Sequence, residues 1–499
     1  MVQHGCWSLR PGDEAGFPPE RANPDHVGPR RCDENGRRVP GEDDMAGERS
    51  RMGQAVVLGG SMAGLLAARV LSDHFETVTI VERDDLPREA AHRRGVPQSR
   101  HTHGLLASGI GVLERLFPGL GAELLAAGAV PCDSLRDLRW VFEGAPLAQH
   151  PSGIDGLMLS RPCLEAAVRR RTEATPRIVF REASHVERLT ASSDGRRVTG
   201  VELRDGATLT ADLVVDATGR GSRLPDWLAT LGYDAPIEQR VEIGLTYTTR
   251  YFRRRPEHLQ GDAGAVVPPT PEGKRGGVMI AQEGDRWSVT LIAHFVPGAP
   301  MDLAGFIDFT TRLPTRDIHD VVAQAEPVGD PVSSKFPASV RRRYERLTRW
   351  PEGLLTIGDA ICSFNPIYGQ GMSVSALEAM ALHEVLAAGR RDIGRRFFRA
   401  AARIVDTPWT TAVGNDLRMP ETVGPRSVAV TAINRYMTRL HRVAHHDGTL
   451  AIRFMRVANL LAPPQSLMTP SSLWRVWRGA SGRVGGSASI AGTPAPSRT

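Results

Sequence analysis

No stretch of this sequence reaches eighteen consecutive apolar residues, about the least that carries a helix across a bilayer, so no transmembrane segment is expected. The N-terminus lacks the apolar core of a secretory signal, and a cytoplasmic protein is expected. Cysteine is scarce. Cys6, Cys32, Cys132, Cys163 and Cys362 are odd in number and form no Cys-x-x-Cys pair. That excludes a disulfide framework or a structural zinc site and suits a reducing compartment. No block of one charge sign stands out: 62 Lys and Arg are interleaved with 56 Asp and Glu, for a formal net charge of +6. Such a spread leaves nucleic acid out of the expected partners. It fits an anionic cofactor and, at most, peripheral contact with an anionic membrane.

What is present is the composition of an ordinary globular chain, 41% hydrophobic and 24% charged over 499 residues. Residues 1–52 are polar, rich in Pro and Gly and without periodicity, and are read as a disordered extension. Translation starting at Met45 or Met52 is the alternative. The tail 479–499 reads the same way. Between them, Ala55–Gly60 is a short apolar run ending in glycine, then comes a stretch with helical spacing, then the β-branched run Glu76–Arg83. Strand, glycine turn, helix and strand make a βαβ unit. Ala211–Arg223 and Gly353–Ala360 repeat the pattern of an apolar strand ending at glycine, whereas Val241–Phe295 alternates in the manner of antiparallel strands. The fold class expected is α/β: a discontinuous Rossmann-type nucleotide-binding domain from 53–225 and 336–395, an antiparallel-sheet substrate domain over 226–335, and a helical region over 396–478 broken at Pro408, Pro420 and Pro463-Pro464.

The chemistry begins at the first turn, Gly59-Gly60-Ser61-Met62-Ala63-Gly64. A dinucleotide loop needs one glycine for the tight turn, a second for close approach to the pyrophosphate and a third for packing of helix on strand. Gly59 and Gly64 fill the first and third roles. Ser61 stands in the second, where its small Cβ still admits a phosphate, held by the N–H groups of the helix start. Glu82, eighteen positions after Gly64, closes the second strand, where an acid binds a ribose hydroxyl. Farther on, Gly358-Asp359 ends an apolar strand, and Tyr368-Gly369-Gln370-Gly371-Met372 precedes a helix. The aspartate suits a ribityl hydroxyl, and the helix start suits negative charge on the pyrimidine edge of a reduced flavin. These spacings make the cofactor FAD.

Together GGSMAG, Glu82-Arg83, DATGRGSR and GDAICSFNPIYGQGM resemble the FAD-dependent aromatic hydroxylase and squalene epoxidase superfamily. RRGVPQSRHTHGLL and DATGRGSRLPDWLATLGY are similar to the actinobacterial epoxidases of polyether antibiotic biosynthesis. The resemblance implies that Gly59, Ser61 and Gly64 contact the pyrophosphate and that Glu82, with Arg83 beside it, binds the adenosine ribose. It also implies that Arg93 or Arg94 reaches the flavin, Arg161 contacts the cofactor, Val186 meets adenine through its backbone, Asp359 holds the ribityl chain, and Gly371 and Met372 face the flavin ring. Thr218-Gly219 stands where the family has Asp-Gly, a motif tied to both FAD and NADPH. Electrons therefore come from NADPH or NADH either directly or through a separate flavin reductase. The implied reaction moves one oxygen atom from O2, through a C4a-hydroperoxyflavin, into an apolar secondary metabolite by alkene epoxidation or hydroxylation. Tyr247 and Arg250 are expected in the roof over that substrate, and no catalytic side chain is singled out. The competing expectations are a flavin-dependent reductase or dehydrogenase of prenyl-like substrates, and a non-catalytic basic binding protein.

Other residues are read plainly. His101 and His103 lack further ligands for a metal and are expected in a cleft wall or in hydrogen bonds. Cys362 is expected as a small buried residue. The basic helices over 427–461 are expected to pack on their own domain, and Arg341-Arg342-Arg343 to form a solvated face.

Overall fold

A computed structural model describes residues 51–481; the expected extension and tail lie largely outside the described residues, as do Cys6, Cys32 and Met45. The βαβ start is present as strand Met52–Leu58, helix Met62–Leu71 and strand Phe75–Val81. These belong to a five-stranded parallel sheet in the order Leu354–Thr356, Leu213–Asp216, Met52–Leu58, Phe75–Val81, Ile178–Arg181. Ala55–Leu58, Leu213–Asp216 and Leu354–Thr356 are buried at every residue, the expected outcome for unbroken apolar runs covered on both faces. The helix Met62–Leu71 buries Leu65, Leu66, Val70 and Leu71 between the sheet and the helix Gly371–Ala387. All the strands point the same way, so the turns after Leu58, Val81, Asp216 and Thr356 open at one edge, into a crevice at the carboxyl ends.

The second sheet has eight strands in the order Cys362–Ser363, Pro327–Arg342, Glu238–Arg253, Arg286–His294, Arg275–Gln282, Gly264–Val267, Leu138–Phe142, Ala145–Pro146. It is antiparallel except where Gly264–Val267 meets Leu138–Phe142. Two expected boundaries shift. Pro327–Arg342 is one strand through the expected break at 335/336, and Leu138–Phe142 joins this sheet from within the first segment. Period-two patterning identifies a strand but not the sheet it joins. Helices Leu303–Thr310 and Asp317–Val322 cover the outer face through Phe306, Phe309, Ile318 and Val321, packed on Phe252, Trp287, Val289 and Leu291.

The helix Ile393–Asp416 runs straight through Pro408, contrary to the expected break. Proline in a helix forfeits a hydrogen bond and costs roughly 3 kcal/mol. Burial of Phe397, Phe398, Val405, Trp409 and Val413 on both sides of it offsets that cost. Helices Val428–Ala444 and Gly448–Ala458 pack on the body of the chain, burying Leu440, Ala444, Leu450 and Met455 against Leu135, Leu147 and Ile154 from the first segment. Arg341-Arg342-Arg343 is not a solvated face. Arg341 is 2% exposed and donates to Asp406 at 2.7 Å. Arg342 donates to Ala360 O at 3.1 Å, and Arg343 is tied to Glu345 and Gln239. The buried strand end supplies partners for each guanidinium, which a run of like charges in the sequence cannot reveal. Among the described residues, no helix is long and apolar enough to cross a membrane.

Candidate flavin and substrate site

The first turn owes its shape to its glycines. Gly59 has φ +100°, and a Cβ there would lie 2.8 Å from Ala217 O; a Cβ on Gly64 would lie 1.8 Å from Gly59 O. Gly60 is under no such constraint, and its N–H donates to Glu82 Oε2 at 2.8 Å. Ser61 is the N-cap residue but does not cap the helix through its side chain. Instead its hydroxyl donates to Glu165 Oε2 at 3.2 Å and accepts from Arg161 Nη2 at 2.9 Å. The N–H groups of Met62, Ala63 and Gly64 have no intrahelical acceptor, as at any helix start, and Met62 and Ala63 line a cavity.

Around this turn lies a buried charge cluster. Glu82 Oε2 also accepts from Arg93 Nη1 at 3.0 Å, and its Oε1 accepts from Asp84 N–H at 3.0 Å. Arg93 donates to Glu165 Oε1 at 2.9 Å and to Gly60 O at 3.0 Å. Burial works to raise the pKa of Glu165, but Arg161 and Arg93 overcome it and hold the carboxyl below its usual value. Glu165, which sequence reasoning missed, lies one turn after Arg161 on the helix Arg161–Glu173, a plain i, i+4 pair that could have pointed to it. Of the two candidate arginines Arg93 faces the site, while Arg94 is exposed and outside it. Arg83 and Val186 line the same cavity at its outer end.

At the third turn Asp216 is fully buried and accepts from Thr218 N–H at 3.0 Å and from the hydroxyls of Thr218 and Ser222. This pins the turn so that Thr218, Gly219 and Arg220 face the cavity. At the fourth, Gly358 has φ +72°, and a Cβ there would lie 2.8 Å from Ala63 Cβ. Gly64 and Gly358 thus serve close packing and do not themselves line the cavity. Asp359 does line it, and its carboxylate has no hydrogen-bond partner among the described residues; burial raises its pKa, against the pull of Arg161 and Arg220. Gly371 and Met372 open the Gly371–Ala387 helix beside it, with the Gly371 Cβ position 3.6 Å from Asp359 Oδ1.

One continuous cavity of about 1350 Å³ connects all these turns to the inner face of the large sheet. Tyr247 pairs with Ile292, and both line it together with Val278, Ile280 and Phe336. Arg250 does not. It lies three residues from Tyr247, and side chains alternate along a strand, so its guanidinium points to the outer face and donates to Met301 O at 2.7 Å. Tyr247 heads a buried polar chain. Its hydroxyl donates to Asn365 Oδ1 at 3.3 Å, Asn365 Nδ2 donates to Asp416 Oδ1 at 2.7 Å, and Tyr368 donates to the same oxygen at 2.8 Å. Burial pushes Asp416 up to about 7, despite Asn365 and Tyr368. His101 and His103 also line the cavity and are hydrogen bonded, His101 Nδ1 to Thr249 Oγ1 at 2.8 Å; burial lowers their pKa to about 4 and about 3, so both are neutral. Cys362 is buried outside the cavity wall. No group of acids, histidines and cysteines among the described residues could hold a metal.

Free N–H groups and Arg161 for a pyrophosphate, and an unpartnered carboxylate for hydroxyls, suit a flavin dinucleotide. Residues 52–396 match the family model described as FAD binding domain, and the chain belongs to this family of FAD-dependent monooxygenases. It is 36% identical over 433 residues to Protein Rv3254 of Mycobacterium tuberculosis, covering 82% of this chain and 89% of that one. It is 25% identical over 357 residues to ubiquinone hydroxylase UbiL of Rhodospirillum rubrum, covering 70% and 75%. Among solved structures, PqsL, a probable FAD-dependent monooxygenase from Pseudomonas aeruginosa, superposes with a TM-score of 0.53 at 19% identity over 80% of this chain and 98% of its own, which shows the shared fold.

Proposed function

We propose that the protein inserts one oxygen atom from O2 into a bulky, mostly apolar ring- or alkene-containing molecule, by hydroxylation or epoxidation. The observation that carries this reading is the second arm of the cavity. It is walled by Trp140, Phe142, Met158, Ile280, Ile292 and Phe454, an apolar surface suited to an apolar substrate. When bound, FAD supplies the redox chemistry that activates O2. The protein's part is to hold and shield. Met62, Ala63 and Arg161 would hold the pyrophosphate, Glu82 the adenosine ribose and Asp359 the ribityl hydroxyls. The helix start at Gly371 would oppose negative charge on the flavin ring. The apolar wall excludes water from the reacting centre, and Tyr247, its hydroxyl oriented by Asn365, can offer a hydrogen bond to a substrate.

NADPH or NADH is the electron source, used directly or through a flavin reductase. The discriminating experiment follows FAD bleaching in the anaerobic holo-protein with NADPH alone and then with a flavin reductase and free FAD. Bleaching only in the second mixture assigns a separate reductase. A purified protein that takes up no FAD would overturn the whole reading.

A further inference from the structure

The C-terminal end of the chain differs in charge from the rest of it. From Ser427 to Thr499 there are nine arginines, no lysine and one acid, Asp447. This region more than accounts for the formal net charge of +6. Its one acid is already engaged, since Arg475 donates to Asp447 Oδ2 at 2.9 Å. Arg435, Arg439 and Arg442 are exposed and recur at helical spacing on Val428–Ala444. The helix Pro470–Ser481 packs beside them, with Gly479 against Val443. It buries Ser472 and Val476 and turns Leu473, Trp474 and Trp477 outward, at 45%, 52% and 69% exposure. Arg478 lies over the Trp474 ring, 5.0 Å from its centroid. Single exposed apolar side chains are ordinary on a protein surface, but a leucine and two tryptophans on one short helix are not.

This patch reaches the mouth of the cavity. Ile433 and Met468 are exposed and also line the cavity. The substrate arm therefore meets the surface between Val428–Ala444 and the short helix Pro464–Met468, which leads into Pro470–Ser481. The Tyr436 hydroxyl ties the two sides together by donating to Leu467 O.

We propose that this face docks on an anionic lipid bilayer, and that the mouth between Ile433 and Met468 then opens onto the bilayer for an apolar substrate dissolved in it. The second half rests on the reading of this arm as the substrate cavity; the first does not. The chemistry of the face selects the partner. Tryptophan settles at the boundary between headgroups and acyl chains, and arginines around it reach the phosphates. Each basic side chain held within a Debye length of an anionic leaflet adds to the attraction. A second copy of the chain is disfavoured, because a two-fold contact would set arginine against arginine with no acid on either helix. A nucleic acid answers the charge but not Leu473, Ile433 and Met468.

Co-sedimentation of the FAD-loaded protein with vesicles tests this. Affinity for equimolar phosphatidylglycerol and phosphatidylcholine should exceed that for phosphatidylcholine alone by about tenfold, and high salt should shrink the difference. Arg435→Glu with Arg439→Glu should remove most of that preference. Trp474→Ser with Trp477→Ser should weaken binding to the mixed vesicles by about tenfold, while Trp474→Phe with Trp477→Phe keeps it. Brominated acyl chains should quench the wild-type tryptophan fluorescence, and most of that quenching should be gone in the phenylalanine pair. Val179→Glu, exposed on the edge strand Ile178–Arg181, should bind as the wild type does. Phenanthrene carried in the mixed vesicles should reach the cavity, where the flavin quenches its fluorescence, and should do so faster in the wild type than in the serine pair. Equal affinity for the two vesicle types, no sedimentation with either, or undiminished binding in the serine pair would overturn the docking face. Docking with phenanthrene uptake no faster than in the serine pair would overturn the mouth alone. Phenanthrene taken up neither from vesicles nor from dilute solution would overturn the substrate-cavity reading and leave the docking face standing.

Discussion

The two arms of the cavity are built by different means. The cofactor arm is shaped by backbone: turns at the ends of parallel strands, held by glycines whose Cβ positions fall 1.8–2.8 Å from neighbouring atoms at Gly59, Gly64 and Gly358. The substrate arm is shaped by side chains from one face of the large sheet and from the C-terminal helices. Backbone constraints tolerate almost no substitution, whereas side-chain walls can be redrawn one residue at a time. A fold can therefore keep its cofactor while its substrate changes.

The sharpest way to break this comparison is Gly64→Val. With the Cβ position 1.8 Å from Gly59 O, it should cost several kcal/mol and abolish FAD retention, whereas Gly60→Ala, in ordinary contact distance, should keep both fold and FAD. Absorbance of the purified variants reads this directly, and a yellow, stable Gly64→Val protein would refute the backbone argument.

Next in size is a pH effect. Burial raises Glu378 to about 8 and Asp416 to about 7. Both folded pKa values lie above those of the unfolded chain, so each group stabilises the fold most in acid. That contribution fades as pH rises from about 4, where the unfolded carboxylates ionise, up through the folded values. The apoprotein should lose up to a few kcal/mol between pH 5 and 8 from these two groups, and Asp416→Asn should flatten part of the slope in a melting series. A slope unaffected by the change would count against a proton on Asp416.

Asp359→Ala should weaken FAD by about tenfold to a hundredfold, as loss of charge-assisted hydrogen bonds implies; titration of apoprotein with FAD measures it, and unchanged affinity would remove Asp359 from the site. Smallest is Arg250→Ala. It forfeits one hydrogen bond to Met301 O and should cost about 1 kcal/mol of stability. Because the side chain faces away from the cavity, KM should not move, while Tyr247→Phe should alter it. A KM effect at Arg250 would place it back in the roof.

The same contrast explains what the sequence disclosed. The strand-end positions of Gly59, Gly64, Glu82 and Asp359 were legible because a strand–turn–helix unit sets particular residue types at particular spacings. The substrate arm makes no such demand. Tyr247 and Arg250 sit in one apolar-alternating strand, and only the sheet register tells which one faces inward. Leu138–Phe142, with its hairpin partner Ala145–Pro146, joins a sheet whose other strands do not begin until Glu238. Pro408 misleads for the opposite reason: a strong local rule yields to burial along the helix that contains it.

The central claim is oxygen insertion by a flavin-dependent enzyme, and isotope-labelled O2 tests it most directly. FAD-loaded protein, supplied with NADPH and a flavin reductase, would be given hydroxylated polycyclic aromatics and alkenes under labelled O2 and the products weighed by mass spectrometry. The expected result is a product carrying one labelled oxygen atom. Products that carry no new oxygen, or oxygen drawn from water, would contradict it.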